Sequence, residues 1–371
     1  MKIAVLDNVP EGGAKRVVFE EIKRLALKHS IAYYTNTHKS AFDFEKFVKV
    51  NRFPLNIKRK RGWKRPQMEL ELLQEIPDQY RQMAKAINKS DADVVLAHPC
   101  QLTQAPYLLR YLTKPSVYFM EEVLRVAYEP HLQPLKSIKV PFRYYESARR
   151  VLIKNIDLIN LRKATKLVTS SRFVARQIKQ IYGRLAQAIH LGVDTNTFKP
   201  KQTYKLSPRT PRDAGNQLLF VGRKNHIDCY PLIKSVAKSL EPEFRVEYVT
   251  LSSNKFKLTD KKMAELYQTS LATLCLAFNE PFGLVAVESM ACGTPVIAVN
   301  QGGYRETVID NKTGFLIARS QESLIKSVYK LKSAPLRNKL SRTAVGHVKR
   351  NFSWDKHVAK LEKILADAQK S

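Results

Sequence analysis

Between Asn279 and Val308 the chain reads NEPFGLVAVESMACGTPVIAVNQGGYRETV, and Glu280 and Glu288 stand with seven residues between them. Pro281 before the apolar run and Cys292-Gly293-Thr294-Pro295 after it predict a helix that starts near Gly283 and stops at Gly293. Glu280 then lies on the loop ahead of the helix and Glu288 in its second turn. At about 1.5 Å of rise per residue, the two carboxylates stand on the order of 12 Å apart. That span suits the two ends of a nucleotide sugar, with a hexose and a ribose flanking a diphosphate. Each carboxylate can accept hydrogen bonds from two neighbouring hydroxyls. The amides of Phe282, Gly283 and Leu284 at the helix start, backed by the helix dipole, predict an anion site for the phosphates, and Gly283 lets a ligand come close to the backbone. A lone pair of glutamates at this spacing would otherwise read as one loop acid and one solvated helix residue.

The elements that position these groups alternate. KIAVL, IAYYT, DVVLA, SVYFM, KLVTS and AIHL predict strands in the first half, with helices near 14–28, 67–89, 137–163 and 171–182. QLLFVG, RVEYVTL, LATLCLA, TPVIAV and GFLI predict strands in the second, with helices near 230–240, 260–269, 283–292 and 320–350. Such alternation means parallel sheets with helices on both faces, and two such series mean two doubly wound domains. In these sheets ligands bind beyond the carboxyl ends of the strands, so the chemistry is expected in a cleft between two facing domains. The stretch 196–216 has three prolines and little apolar content and reads as the linker. The end of the chain, FSWDKHVAKLEKILADAQK, is an amphipathic helix with Trp354, Val358, Leu361 and Leu365 at helical spacing. The expected division is residues 1–195, 196–350 and a final helix over 351–371.

The 371 residues suffice for two cores, and 44% hydrophobic content is that of a folded protein. No apolar run reaches the roughly 18 residues of a bilayer span, and the start lacks a signal-peptide core. Cys100, Cys229, Cys275 and Cys292 are scattered, with no metal-ligand spacing, which points to a reducing cytoplasm and to no structural metal. The net charge of +31 bears on partners rather than fold. Residues 251–300 hold four basic and four acidic residues, so the excess lies away from the glutamate pair.

The run from Glu280 to Ala298 has the pattern E-x-F-G-x-x-x-x-E-[SA]-M-A-x-G-x-P-V-I-A, followed by G-G-x-x-E-x-V at Gly302–Val308 and T-G-F-L at Thr313–Leu316. In these motifs the chain resembles the retaining glycosyltransferases of family 4. The resemblance implies the GT-B architecture, two Rossmann-like domains facing across a cleft with the C-terminal helix crossing back to the first. It implies a donor site of Glu280 on the sugar, Glu288 on the ribose and Arg223 of LLFVGR on the diphosphate. Gly12 and Gly13, in the loop after the opening strand, are implied to meet the diphosphate and sugar. The chain departs from the family in three places. The lysine usual five residues after the arginine is replaced by Asp228, leaving Lys224 as the nearest substitute. SSNKFKLTDK at 252–261 stands for a longer loop that frames the base, so UDP- and GDP-sugars both remain open. Met120-Glu121-Glu122 follows SVYFM where a His-containing segment is usual, and His98 after DVVLA is the expected group for that side of the cleft.

The resemblance thus implies a hexosyltransferase that needs no cofactor or metal, its nucleoside-diphosphate sugar being a substrate. The first domain is expected to bind the acceptor, a glycan or a lipid-linked one. IKRKRGWKRP at 57–66 packs six cations around Trp63, and residues 136–184 carry thirteen Lys and Arg against Glu146 and Asp157. Mixed with Phe142, Tyr144, Tyr145 and Val151–Ile153, that composition suits an anionic membrane surface and a peripheral cytoplasmic location. Two other readings remain open: a GT-B epimerase of nucleotide sugars, and a non-catalytic polyanion-binding protein. Against nucleic acid stand the lack of a binding motif and the dispersed basic residues.

Overall fold

A computed structural model of the chain describes residues 1–55, 65–201, 215–250 and 258–371. Lys58, Arg59, Lys60, Arg61, Trp63 and Lys64 of the first basic tract lie outside the described residues, as do most of the linker and 252–257 of the segment expected to frame the base. The chain divides into two units. The first comprises Met1–Ser170, Val174–Ile189 and Val358–Ser371, the second Ser171–Phe173 and His190–His357.

The first unit is built on a parallel sheet of β1 (Lys2–Asn8), β2 (Ser30–Thr35), β3 (Lys49–Arg52), β4 (Val94–Cys100), β5 (Ser116–Phe119), β6 (Lys166–Thr169) and β7 (Gln187–Ala188), in the order β3-β2-β1-β4-β5-β6-β7. Ile3–Leu6 and Val94–Ala97 are at most 1% exposed, as befits central strands covered on both faces. The helix Gly13–Leu25 turns Val17, Val18, Ile22 and Leu25 inward. From β1 the chain builds outward to β2 and β3, then returns to lay β4 on the other side of β1. The loops after β1 and β4 therefore diverge at the sheet's switch point, where ligands bind in such sheets.

The second unit repeats the plan with β8 (Gln217–Gly222), β9 (Arg245–Thr250), β10 (Ala272–Cys275), β11 (Val296–Val299) and β12 (Gly314–Ile317), all parallel and ordered β12-β11-β10-β8-β9. Its switch point lies between β8 and β10, whose following loops carry Arg223 and Glu280.

Three expectations are corrected. The helix expected over 320–350 is two, Gln321–Lys330 and Ala334–Asn351, because Pro335 has no amide for a continuous helix and instead sits in the first turn of the second. In AIHL only Ala188 is in a strand, the short β7 at the sheet edge. The helix expected from 137 begins at Phe142, after short 3₁₀ turns at Pro130–Leu132 and Leu135–Ser137. The edge strand β3, KVNR, was not among the expected strands, since it has a single apolar residue and pairs only with β2.

Candidate active site

In the second unit, two loops meet beyond β8 and β10. Arg223 leaves β8 and is gripped by Asp228. The Asp228 carboxylate accepts from the Arg223 amide at 2.6 Å, from Nε at 3.2 Å and from Nη2 at 3.3 Å. Asp228 is itself set by a bond from its amide to the Asn225 side chain, 2.8 Å. The acid that stands in place of a lysine thus orients the neighbouring guanidinium and offsets its charge. The Arg223 side chain remains 57% exposed. Lys224 is exposed, its Nζ 5.9 Å from the centre of the Tyr230 ring.

The Phe278 amide donates to the Ile227 carbonyl at 2.8 Å and so ties the loop after β10 to the Arg223 loop. Arg319 lies 3.6 Å over the Phe278 ring and bonds Gln301 at 2.6 Å, and Gln301 in turn donates to Asn279 at 2.6 Å. Next comes Glu280, whose carbonyl accepts from the Gly303 amide at 2.7 Å. Here glycine is required for close approach. A Cβ on Gly302 would stand 2.7 Å from the Glu280 oxygen, and one on Gly303 would stand 2.4 Å from the Pro281 oxygen. The G-G-x-x-E-x-V segment is therefore a backbone clamp on the Glu280 loop.

The helix Leu284–Ala291 follows, capped by Gly283 in the left-handed region at φ 99°. Its first intrahelical bond runs from the Val287 amide to the Gly283 carbonyl, 3.1 Å, so the Gly283 and Leu284 amides lie ahead of it. The side chain of Phe282 is 2% exposed and packs near His190 and Phe352, so its backbone is the part suited to a ligand. The helix is apolar and buried through Ala291. Within it Glu288 is only 8% exposed, and its Oε2 accepts from the Tyr267 hydroxyl at 3.0 Å. Glu288 is thus no solvated helix residue. At the helix end Gly293 takes φ 77° and its amide bonds Met290, the predicted stop.

Glu306, in the same clamp segment, had no role in the sequence reading. Its carboxylate accepts from the amides of Arg172 and Phe173, at 3.0 and 2.8 Å, and lies 2.9 Å from His190 Nε2. Burial pushes its pKa up, but these donors outweigh burial and hold it down at about 2.

In the first unit the loop after β1 brings Gly12 and Gly13 to the start of the helix Gly13–Leu25. Gly12 has φ 134°, a conformation open to glycine, and no atom stands within 4 Å of where its Cβ would be. Beneath this loop lies a wholly buried ion pair of Lys15 and Asp7, with the Tyr33 hydroxyl donating to Asp7 at 2.6 Å. His98, expected beside the donor sugar, is also wholly buried. Its Nε2 is 2.9 Å from Glu21 Oε2, and its ring stacks on Phe119 with centroids 5.5 Å apart. Burial alone would lower the His98 pKa, but Glu21, Glu121 and Asp7 together raise it. Burial, reinforced by Glu122, Glu21 and Asp7 against the opposing pull of His98, lifts Glu121 to about 8. No periodicity in the sequence marks these acids and Lys15 as interior, since each type is ordinarily solvated.

Residues 251–347 match the family model described as glycosyl transferases group 1. The chain is 29% identical over 260 residues to the D-inositol 3-phosphate glycosyltransferase of Acidothermus cellulolyticus, covering 60% of this chain and 57% of that protein. The enzyme of the same name from Actinosynnema mirum is 42% identical over 101 residues, 27% of this chain and 24% of that one. The chain therefore spans somewhat over half the length of the first of these relatives. Among solved structures, sucrose-phosphate synthase from Thermosynechococcus elongatus superposes with a TM-score of 0.75 at 16% identity, covering 99% of this chain and 98% of that one. Anabaena HepE, solved with UDP and glucose, gives 0.66 at 16% identity over 99% of both chains. WaaG, a glycosyltransferase involved in lipopolysaccharide biosynthesis, gives 0.67 at 18% identity, covering 98% and 99%. The likeness shows the fold, two Rossmann-like domains as in the GT-B glycosyltransferases.

Proposed function

We propose that this chain is a retaining hexosyltransferase that takes its sugar from a nucleoside diphosphate, UDP or GDP, and passes it to a hydroxyl of a glycan or lipid-linked acceptor. The observation that carries this reading is the backbone clamp. Gly302 and Gly303 clamp the Glu280 loop, which the bond from Phe278 to Ile227 ties to the Arg223 loop at the switch point of the second sheet, with Glu288 in the helix that follows. All but the Arg223 loop lies in the stretch that matches group 1 glycosyl transferases. HepE, solved with UDP and glucose, supports a nucleoside-diphosphate sugar as donor.

In this reading Glu280 orients the hexose and Glu288 the ribose. Arg223, Lys224 and the amides of Phe282–Leu284 and Gly12–Gly13 stabilise charge growing on the diphosphate. The bond from the anomeric carbon to the diphosphate breaks, and the diphosphate leaves with the electron pair. The acceptor hydroxyl attacks from the same face and gives its proton to a diphosphate oxygen. No enzyme nucleophile, cofactor or metal is invoked. His98, wholly buried beside Glu21, is given no contact with substrate in this reading. The reaction is set in the cytoplasm.

The test is a thermal-shift panel of UDP-, GDP- and ADP-sugars, followed by donor hydrolysis with the best binder. Glu280→Gln should keep nucleotide affinity and lower turnover by on the order of 100-fold, the scale of one transition-state contact. Full turnover in that variant, or conversion of the donor to an epimer with no acceptor present, overturns the reading.

A further inference from the structure

The helix Phe142–Leu161 has two apolar faces, and the first unit uses only one. Inward, Ile153, Ile156 and Leu161 are buried, and Asp157 accepts from the Ala105 amide at 2.9 Å and the Tyr182 hydroxyl at 2.6 Å. Asn160 donates to the Ala105 carbonyl at 2.8 Å. The helix is thus fixed without help from its outer side. Outward, Tyr144 is 73% exposed, Val151 59%, Leu152 44% and Ile159 46%, with Val140 just before the helix at 60%. Five of the eleven large apolar side chains exposed among the described residues fall between Val140 and Ile159, a cluster rather than scatter. Tyr144, Ala148, Val151, Asn155 and Ile159 recur at spacings of three and four and form one stripe.

The charge around the stripe has one sign. Lys136, Lys139, Lys154, Arg162 and Lys163 are exposed on or beside the helix. Glu146 and Asp157, the acids between Pro130 and Lys163, are both buried, and Glu146 is bonded by Arg149 and Arg150 at 3.1 Å each. We infer that this stripe docks on an anionic lipid bilayer, the apolar side chains entering the headgroup boundary and the cations meeting lipid phosphates. Charge decides against a second copy of the chain as the occupant. An isologous contact would set cationic rim against cationic rim in a chain of net charge +31. Among the described residues no helix is long and apolar enough to cross a membrane, so the helix lies on the surface. The docking holds with or without glycosyl transfer.

The four native cysteines are 1–4% exposed, so Leu152→Cys gives the full chain a selectively labelled site. With an environment-sensitive fluorophore there, the emission should rise and shift to the blue on vesicles of phosphatidylcholine mixed with phosphatidylglycerol. It should not do so on phosphatidylcholine alone, and a Lys89→Cys control should stay unchanged on both. Tyr144→Ser/Val151→Ser/Ile159→Ser should melt as the parent does and pellet with the mixed vesicles about tenfold less. A label that stays in water on mixed vesicles, or equal pelleting of parent and variant, overturns the docking. So does a dimer of the free protein that the triple variant dissociates, or a DNA complex with no preference among vesicles.

Discussion

Arg223 and Asp228 give the sharpest expectation for single side chains. A guanidinium held by a carboxylate offers a diphosphate less net charge than a lone arginine would. Asp228→Asn keeps an acceptor for the Arg223 amide and removes the negative charge, so affinity for the free nucleoside diphosphate should rise several-fold by calorimetry, an effect weakened by salt. Unchanged affinity would show that Arg223 does not face the diphosphate. In the proposed reading Glu288 makes two separable contributions. Glu288→Ala should lose about 1.5–3 kcal/mol of nucleoside diphosphate binding, the value of a charged hydrogen bond, and should also destabilise the fold by removing the carboxylate that accepts from the buried Tyr267 hydroxyl. Glu288→Gln should restore stability and only part of the binding. The placement of the glutamate pair, one on the loop and one in the helix, was legible because its motif is local in sequence. The grip of Asp228 on Arg223 was not, since it depends on the turn through Asn225.

Among the elements, the loop from Gln301 to Tyr304 sets the position of Glu280 without touching substrate in the proposed reading. Gly303→Ala places a methyl 2.4 Å from the Pro281 oxygen, so the Glu280 loop must shift. The expected result is a folded protein with turnover reduced by about 100-fold, on the scale of misplacing a reacting group by 1 Å. Nucleoside diphosphate binding should fall less than turnover, since the methyl also crowds Phe282 but leaves Arg223 and Glu288 in place, and equal loss of both in a ligand titration would contradict a role centred on Glu280. The central strands were legible because burial on both faces demands unbroken apolar runs, as in Ile3–Leu6. The strand β3 was not, because an edge strand is held by its backbone and KVNR needs no apolar pattern. The stripe on Phe142–Leu161 is the opposite case: its apolar residues were plain in the sequence, but only the fold shows that half of them face outward.

For the molecule as a whole, the buried polar cluster of the first unit predicts how stability varies with pH. The folded pKa of Glu121, about 8, lies above its unfolded value near 4.5. The folded state therefore binds more protons across that interval, and stability falls as pH rises through it. His98, also raised, acts in the same direction. Glu306, held at about 2, contributes stability that is present above 4.5 and lost only in stronger acid. The melting temperature should accordingly drop between pH 5.5 and 8.5, and Glu121→Gln should flatten the slope; an unaltered slope would show that Glu121 is charged throughout. The two-unit plan was legible from the alternation of strand and helix, while the interior charges were not, because their environment is assembled from β1, β4, β5 and the helix after β1. Finally, Val358–Ser371 belongs to the first unit, with Glu362 bonded to His29 at 3.0 Å and Leu361 and Leu365 wholly buried. On the ribosome these fourteen residues emerge only after the whole of the second unit. The first unit must therefore wait for the second to be translated before it can close its core, and a premature stop near residue 357 would injure the first unit rather than the one just completed.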